Sequence, residues 1–385
     1  MTLLILNSAV PCTAVDSSCD EFIQNDPQYL VLGDSISTGY KLGGGHFTEE
    51  SFAKTLSSAN GYEVAVEAVD GNTASGLLKQ LEEGTLDDVI VSADIITITC
   101  GGNDMLAFLY EYLNNRIIEV EKVITDTLYE INRYLGIANE AIKTETEVIE
   151  KDSASEDGEE QEDTAPTESE APEETVSTPS ENETAFPSGV LSKLILANIY
   201  DLFEEFITNV NNTIDYIGEK KKNASFWEKL ILIAYEELID YSLDAAESLL
   251  ISFTKTGEYQ EAVNAYIEKI NDVIDYIRSL NGDAVIILAT QYNPYSHFSS
   301  PAHKVISNFV DAGVCKLNEA ITLNASDGKY FLADVYTAFD SSDEVLCNAA
   351  ESPLEMDVHP NAAGHAVIAE CMRKTLAQIQ ESMTD

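Results

Sequence analysis

Short apolar runs alternate with segments of helical spacing at both ends of the chain. Five runs rich in β-branched and aromatic residues have the length of buried strands, and the first three each end in a glycine-containing polar turn. The predicted strands are Tyr29–Leu32, Tyr62–Val69, Asp94–Cys100, Ala284–Thr290 and Tyr330–Val335. The predicted helices are Thr48–Ser58, Leu77–Leu81, Tyr259–Leu280 and Ala362–Gln380. This alternation predicts a parallel sheet with helices on both faces.

The middle of the chain breaks the alternation. From about Met105 to Ile149, and from Gly189 to Thr254, apolar residues recur at three- and four-residue steps without a strand signal. We therefore interpret residues 27–105 and 258–385 as two parts of one α/β core, and residues 106–257 as an inserted α-helical subdomain. Residues 1–26 form an N-terminal extension. In a parallel sheet, ligands bind beyond the carboxyl ends of the strands.

Acidic residues dominate the charge. The 385 residues include 68 Asp and Glu against 21 Lys and Arg, a net charge of −47, which disfavours nucleic acid and anionic membrane surfaces as partners. Apolar runs are too short for a stable membrane span. Residues 144–188 hold 16 acids, one lysine and four prolines, and are predicted to be a disordered acidic loop. An interaction tail or a cation-binding segment is the alternative.

The first residues resemble part of an export signal. The apolar run Leu3–Leu6 precedes small residues near Cys12 and Ala14, but no Lys or Arg comes before it. We favour the remnant of a secretory signal over an unusual first strand, and expect a secreted or cell-surface protein. A lipid anchor on Cys12 or Cys19 is a further alternative.

Six cysteines are present, without a C-x-x-C motif or histidines at zinc-like spacing, so we expect no metal and no cofactor. Cys315 and Cys347 flank the last predicted strand. In an exported protein they would be candidates for a disulfide, and otherwise they are ordinary buried thiols.

Four polar segments stand at the ends of core elements and carry the candidate chemistry. Ser35 follows the first strand, Gly71 the second and Asn103 the third, and His359 precedes the last helix. A nucleophilic hydroxyl needs a base to take its proton, and acyl transfer needs donors directed at the developing oxyanion. The four segments offer a hydroxyl, a base, a glycine amide and a carboxamide.

These segments resemble the blocks of the SGNH, or GDSL, hydrolase superfamily: a GDS serine, a glycine, a G-x-N-D asparagine and a histidine in D-x-x-H-P. The resemblance covers about residues 27–105 and 258–380. It implies a flavodoxin-like three-layer α/β/α fold with a mainly parallel five-stranded sheet. It also implies Ser35 as the nucleophile, His359 as the general base, and an oxyanion hole formed by the amides of Ser35 and Gly71 and the Asn103 side chain.

One position departs from the family pattern. Met356 stands three residues before His359, where the family usually has Asp, while Asp357 lies two residues before and Glu355 four. We expect Asp357 to orient the imidazole, because Pro360 favours an extended His359 and the residue two before it then lies on the same side of the chain. Glu355 is the second candidate, and a Ser–His dyad is the third alternative.

Other polar and aromatic residues have simpler interpretations. Gly-Asp-Ser alone is more often a turn and a helix cap, and Asn103 or Asp104 also suits a helix cap. His365 suits helix packing. The remaining histidines, His46, His297 and His303, are expected at the surface or in loops, with His297 a candidate for the cleft. The aromatic residues Tyr292, Tyr295 and Phe298 either line an acyl pocket or pack locally.

The sequence therefore predicts a serine-dependent carboxylic-ester hydrolase. Apolar helical faces favour acyl or lipid esters as small-molecule partners, and we expect the inserted helices to cap the cleft. A carbohydrate acetyl esterase of the same superfamily is the alternative. A non-catalytic binding protein is a second alternative, supported only by Met356. Sequence alone does not give the acyl length or the oligomeric state.

Overall fold

Five strands form one parallel sheet in the order β2-β1-β3-β4-β5 in the computed structural model of the chain. The structure describes residues 28–43, 48–109, 188–325, 327–350 and 357–384, with positions 111 and 133. The strands are β1 Gln28–Gly33, β2 Glu63–Val66, β3 Ile95–Thr99, β4 Val285–Ala289 and β5 Phe331–Ala333. Each of the five predicted strands is present, and the α/β fold class is confirmed.

The register of the sheet brings the carboxyl ends of β1 and β3 together. Gly33, the last residue of β1, pairs with Thr99, the last residue of β3. The three central strands are buried on both faces, which explains their almost continuously apolar sequences. The edge strand β2 is shorter than predicted, although the amides of Glu67 and Val69 still donate to carbonyls of β1.

Helices from residues 1–117 and 241–385 cover both faces of the sheet. The longer helices of the described chain are α2 Phe52–Asn60, α3 Ala74–Glu82, α6 Ser188–Asn223, α7 Phe226–Phe253, α8 Gly257–Leu280, α9 Pro301–Ala325 and α11 Ala362–Thr384. The shorter ones are α1 Ser35–Thr38, α4 Asp87–Ser92, α5 (residues 102–109) and α10 Val335–Asp340. A 3₁₀ turn spans Asn348–Ala350.

Two hydrophobic layers hold the sheet between these helices. Leu30 and Leu32 of β1 point into the layer formed with α3, α4, α8 and α9, whereas Tyr29 and Val31 point into the layer formed with α2, α10 and α11. This alternation follows from the two-residue period of a strand. The three-layer arrangement matches the expectation from the sequence.

The chain divides into two compact units. Residues 1–117 and 241–385 form the first, which contains the sheet, and residues 118–240 form the second. In the second unit, the described part is α6 and the first half of α7, with Ile207, Val210 and Ile217 buried. The N-terminal extension and the acidic segment up to residue 187 lie outside the described residues, and the predictions for them stay predictions.

One expectation about a side chain is wrong. His303 does not lie in a surface loop: it is buried in α9, where its Nδ1 is 2.6 Å from Ser300 Oγ. Of the two alternatives for Cys315 and Cys347, the structure has the free thiols, and Cys100 and Cys371 are free as well. Within the described residues, no helix has both the length and the apolar character needed to cross a membrane.

Candidate active site

Ser35 lies at the point where β1 turns into α1. Gly33 adopts φ +124°, and a Cβ there would lie 2.0 Å from the carbonyl oxygen of Thr99, so only glycine lets the two strand ends approach. Asp34 then caps α1, because its Oδ1 accepts from the Ile36 amide at 3.0 Å and from Thr99 Oγ1 at 2.8 Å. These contacts fix Ser35 as the first residue of the short helix.

Ser35, His359 and Asp357 form a continuous hydrogen-bonded array. Ser35 Oγ lies 3.0 Å from His359 Nε2, and His359 Nδ1 lies 2.5 Å from Asp357 Oδ1. A carboxylate can only accept a hydrogen bond, so Nδ1 carries the ring proton and Nε2 is left to accept from the serine hydroxyl. Ser35 is thereby in contact with a base that is itself oriented by an acid.

The second oxygen of Asp357 is held by two residues that sequence reasoning missed. Lys41 Nζ lies 3.1 Å from Oδ2, and Asn348 Nδ2 donates to it at 3.2 Å. Burial alone would raise the pKa of Asp357, but the hydrogen bonds from His359 and Lys41 outweigh it and hold this pKa well below its usual range. Asp357 is therefore a carboxylate at neutral pH. No motif spacing pointed to Lys41 or Asn348.

The loop that carries His359 is fixed through its backbone. The His359 carbonyl accepts a hydrogen bond from the Asn348 backbone amide at 3.0 Å, and the Asn361 backbone amide donates to the Leu346 carbonyl at 2.9 Å. Gly364 permits this approach, because a Cβ there would lie 2.2 Å from the Leu346 carbonyl oxygen. The Tyr40 ring centre lies 4.8 Å from that of His359. The imidazole is thus held by its loop and by contact with the Tyr40 ring.

Asn103 lies at the start of α5, close to the turn after β2. Its Nδ2 donates to the Asn72 carbonyl at 3.0 Å, which leaves the second amide hydrogen for another acceptor. The Asp104 carboxylate reaches across to the Ala74 amide, at 3.0 and 3.1 Å. Gly71 lies in the exposed turn itself, at φ +74°. The structure places Ser35 and Asn103 on one cavity, whereas Gly71 is not among the residues that line it.

The cavity beside Ser35 has a volume of about 150 Å³. Polar groups of Asp34, Ser35, Asn103, Thr254, Gln291 and His359 border it, and most of the rest of its wall is apolar. The apolar wall comes from α5, the end of α7, α8 and α9: Met105, Leu106, Leu109, Phe253, Tyr259, Phe309, Val310, Val314 and Leu317. Such a cavity suits an apolar group attached to a reactive carbonyl.

Two buried carboxyl groups lie near the site. Burial raises the pKa of both Asp34 and Asp104 to about 6. His365 does not serve as a second base here: it is fully buried, stacks on the Phe52 ring, and accepts from the Phe52 amide at 3.3 Å. Burial lowers the pKa of His365 to about 4.

The remaining candidates divide between the cavity wall and local packing. Tyr292 and Tyr295 line the cavity, while Phe298 stacks against Tyr295. His297 is half-buried outside the cavity wall, and His46 and Glu355 lie outside the described residues. Among the described side chains, no three His, Cys, Asp or Glu residues come together as a metal site.

A model of the GDSL-like lipase/acylhydrolase family matches residues 31–149. This match agrees with the resemblance of the sequence to the SGNH/GDSL hydrolase superfamily and indicates an ester-bond hydrolase. The matched residues include Ser35, Gly71 and Asn103, while His359 lies outside them. No curated protein sequence matches it significantly.

Solved structures similar to this chain include lipases and an esterase. The lipase Lip_vut3 from a goat rumen metagenome is 15% identical, with a TM-score of 0.42, over 91% of this chain and 97% of that chain. An extracellular lipase from Streptomyces rimosus is 14% identical, with a TM-score of 0.43, over 91% and 99%. Axe2, an acetylxylan esterase from Geobacillus stearothermophilus, is 12% identical, with a TM-score of 0.38, over 92% and 95%.

Proposed function

We propose that this protein hydrolyses carboxylic esters through an acyl-Ser35 intermediate, with a preference for acyl or lipid esters. The observation that carries the proposal is the contact of Ser35 Oγ with His359 Nε2 at 3.0 Å, together with the carboxylate of Asp357 on the other ring nitrogen. A serine hydroxyl is a weak nucleophile unless a base takes its proton, and this array supplies that base.

The reaction would proceed in two halves. His359 Nε2 accepts the proton of Ser35 as Oγ attacks the ester carbonyl, and the imidazolium then protonates the departing alcohol. Water enters, loses a proton to His359 and attacks the acyl-serine, which releases the acid and restores the hydroxyl. Asp357 keeps the ring in the required tautomer and stabilises the imidazolium in both halves.

Two donors at the cavity are available for the developing oxyanion. The Ser35 amide is an unpaired helix N-terminal group of α1, and Asn103 has one amide hydrogen beyond its bond to Asn72. The family resemblance implies the Gly71 amide as a third donor, although Gly71 lies in the exposed turn outside the cavity wall. Donors directed at developing charge are commonly the largest electrostatic contribution to acyl transfer.

The wall of the cavity supports acyl esters as the substrate class. Apart from its few polar groups, it presents mainly leucine, valine, methionine, phenylalanine and tyrosine side chains. Burying these side chains against a hydrocarbon chain is favourable, whereas burying the hydroxyl groups of a sugar against them is costly. We also propose that the protein is exported, because the apolar run near the N-terminus resembles part of a secretory signal.

Replacing the nucleophile tests the proposal. Ser35→Ala should reduce hydrolysis of p-nitrophenyl esters by at least about a thousandfold, as loss of a triad member does in other serine hydrolases. A fluorophosphonate probe should label the wild type at Ser35. Ser92→Ala, at an exposed helix end, serves as the control. A Ser35→Ala variant with more than about one hundredth of the wild-type rate would show that another group is the nucleophile.

A series of p-nitrophenyl esters identifies the substrate class. The kcat/KM for esters from acetate to palmitate should be compared with that for release of acetate from acetylated xylan. Release of acetate from xylan at a higher kcat/KM than any p-nitrophenyl acyl ester would contradict the acyl-ester preference, while leaving the role of Ser35 intact.

A further inference from the structure

The cavity extends away from Ser35 along α5. Leu106 and Leu109 line it at successive turns of this helix, which begins beside Asn103. At a rise of about 1.5 Å per residue, Leu109 lies about 9 Å along the helix axis from Asn103. The cavity is therefore deeper than an acetyl group requires.

Phe253 stands at the far end of this path. Its ring stacks on Phe108 with centres 5.7 Å apart and an interplanar angle of 19°, which places Phe253 beside the last described turn of α5. Phe253 also contacts Tyr259 edge-on at 5.5 Å and Phe309 at 6.0 Å. We call Phe253, Tyr259 and Phe309 the aromatic floor, since all three line the cavity.

The aromatic floor is rigidly supported. The Tyr259 hydroxyl donates to the Gly313 carbonyl of α9 at 2.8 Å, and Gly313 has no side chain that would displace that ring. The Lys316 ammonium donates to the Thr254 carbonyl at 2.7 Å and fixes the chain directly after Phe253. Phe253 itself is buried. A longer acyl chain would have to displace a packed ring rather than a mobile side chain.

The volume indicates where this limit falls. The cavity measures about 150 Å³, and an apolar cavity of about that volume in another protein binds benzene, a molecule of six carbons. We propose that Phe253 sets the acyl-length limit of this enzyme, so that acyl groups of about six carbons fit and chains of ten or more are excluded, which narrows the proposed acyl or lipid esters to short-chain acyl esters. This inference rests on the proposed acyl-Ser35 chemistry.

Enlarging and narrowing the cavity test the inference from opposite sides. The wild type should show its highest kcat/KM near p-nitrophenyl hexanoate and fall off by decanoate. Phe253→Ala should raise the decanoate-to-hexanoate ratio of kcat/KM at least tenfold. Leu106→Phe, one turn from Asn103, should instead lower the hexanoate-to-acetate ratio.

Controls separate the cavity from general loosening of the core. Phe253→Leu keeps part of the packing and takes the place of Phe253→Ala if the alanine variant fails to fold. It should shift the decanoate-to-hexanoate ratio in the same direction. Phe52→Leu makes the same substitution at a buried phenylalanine in the opposite layer and should leave the ratio unchanged.

Two results would overturn the inference. One is a wild type that hydrolyses palmitate and hexanoate esters equally well. The other is a folded Phe253→Leu variant whose ratio equals that of the wild type. In either case, Ser35-dependent hydrolysis of acetate would leave the proposed function standing, whereas acetate hydrolysis that survives Ser35→Ala would remove the proposed function itself.

Discussion

Asp34 is a buried carboxyl group whose ionisation should cost folding stability. It is 2% exposed, and burial raises its pKa to about 6 from 3.8. Its Oδ1 accepts from Ile36 and Thr99, and the carboxamide oxygen of an asparagine can accept the same two bonds. Asp34→Asn should therefore keep the cap of α1 while removing the charge.

The magnitude follows from proton linkage. Because the pKa is higher in the folded state, the native protein binds more protons than the unfolded chain between about pH 4 and 6, and stability falls as the pH rises through this window. The shift of about two pKa units corresponds to roughly 3 kcal/mol, at about 1.4 kcal/mol per unit, as an upper bound. Above pH 6 the ionised Asp34 lowers the free energy of unfolding by the full amount, and below pH 4 this loss of stability is absent.

Urea unfolding of the wild type and Asp34→Asn at pH 4, 6 and 8 measures this effect. We expect the variant to be more stable by 1–3 kcal/mol at pH 8, with the difference closing towards zero near pH 4. Asp343→Asn removes an exposed carboxylate and should show no such pH-dependent gain. An Asp34→Asn variant that is less stable at pH 8 would refute the reasoning, since it would mean that the ionised carboxylate contributes net stability.

Two further predictions concern the residues around His359. Asp357→Asn should lower kcat by about 10⁴ with little change in KM, as the corresponding change does in a Ser-His-Asp protease. Glu355→Gln should leave kcat nearly unchanged. Near-wild-type kcat for Asp357→Asn would indicate a Ser–His dyad. Lys41→Met removes one of the two groups that hold Oδ2 of Asp357 and should lower kcat with little change in KM, by less than Asp357→Asn does. An unchanged kcat would contradict that positioning role for Lys41.

The strands and the first three site segments could be predicted because each depends on local pattern. A central parallel strand must be apolar on both faces, as Ile95–Thr99 is, and a strand that ends against its neighbour needs a glycine, as at Gly33. These requirements are visible in a short stretch of sequence. Ser35 and Asn103 follow such strands and can be located with them.

The helix α9 was not predicted, for a physical reason. It packs on the sheet and also lines the cavity, so that several of its polar residues are buried, including His303, Ser307 and Asn318. A helix with partners on more than one side loses the simple division into an apolar and a polar face. The cavity depth was equally hidden, because it depends on Phe253 and Leu109, which lie far apart in sequence.

The spacing between Asp357 and His359 shows how a segment that departs from the family pattern can still place a carboxylate beside the imidazole. Asp357 Oδ1 accepts from the backbone amide of His359 at 3.1 Å as well as from its ring nitrogen at 2.5 Å. A carboxylate that bonds to the amide two residues on forms a local turn of its own, and this turn brings the oxygen beside the side chain of that residue. Lys41 and Asn348 then fix the other oxygen. The proposed mechanism needs a hydrogen-bond acceptor at Nδ1 of His359, not a fixed number of residues between the acid and the histidine. The imidazole therefore keeps a carboxylate partner even though Met356 stands in the usual place of the acid.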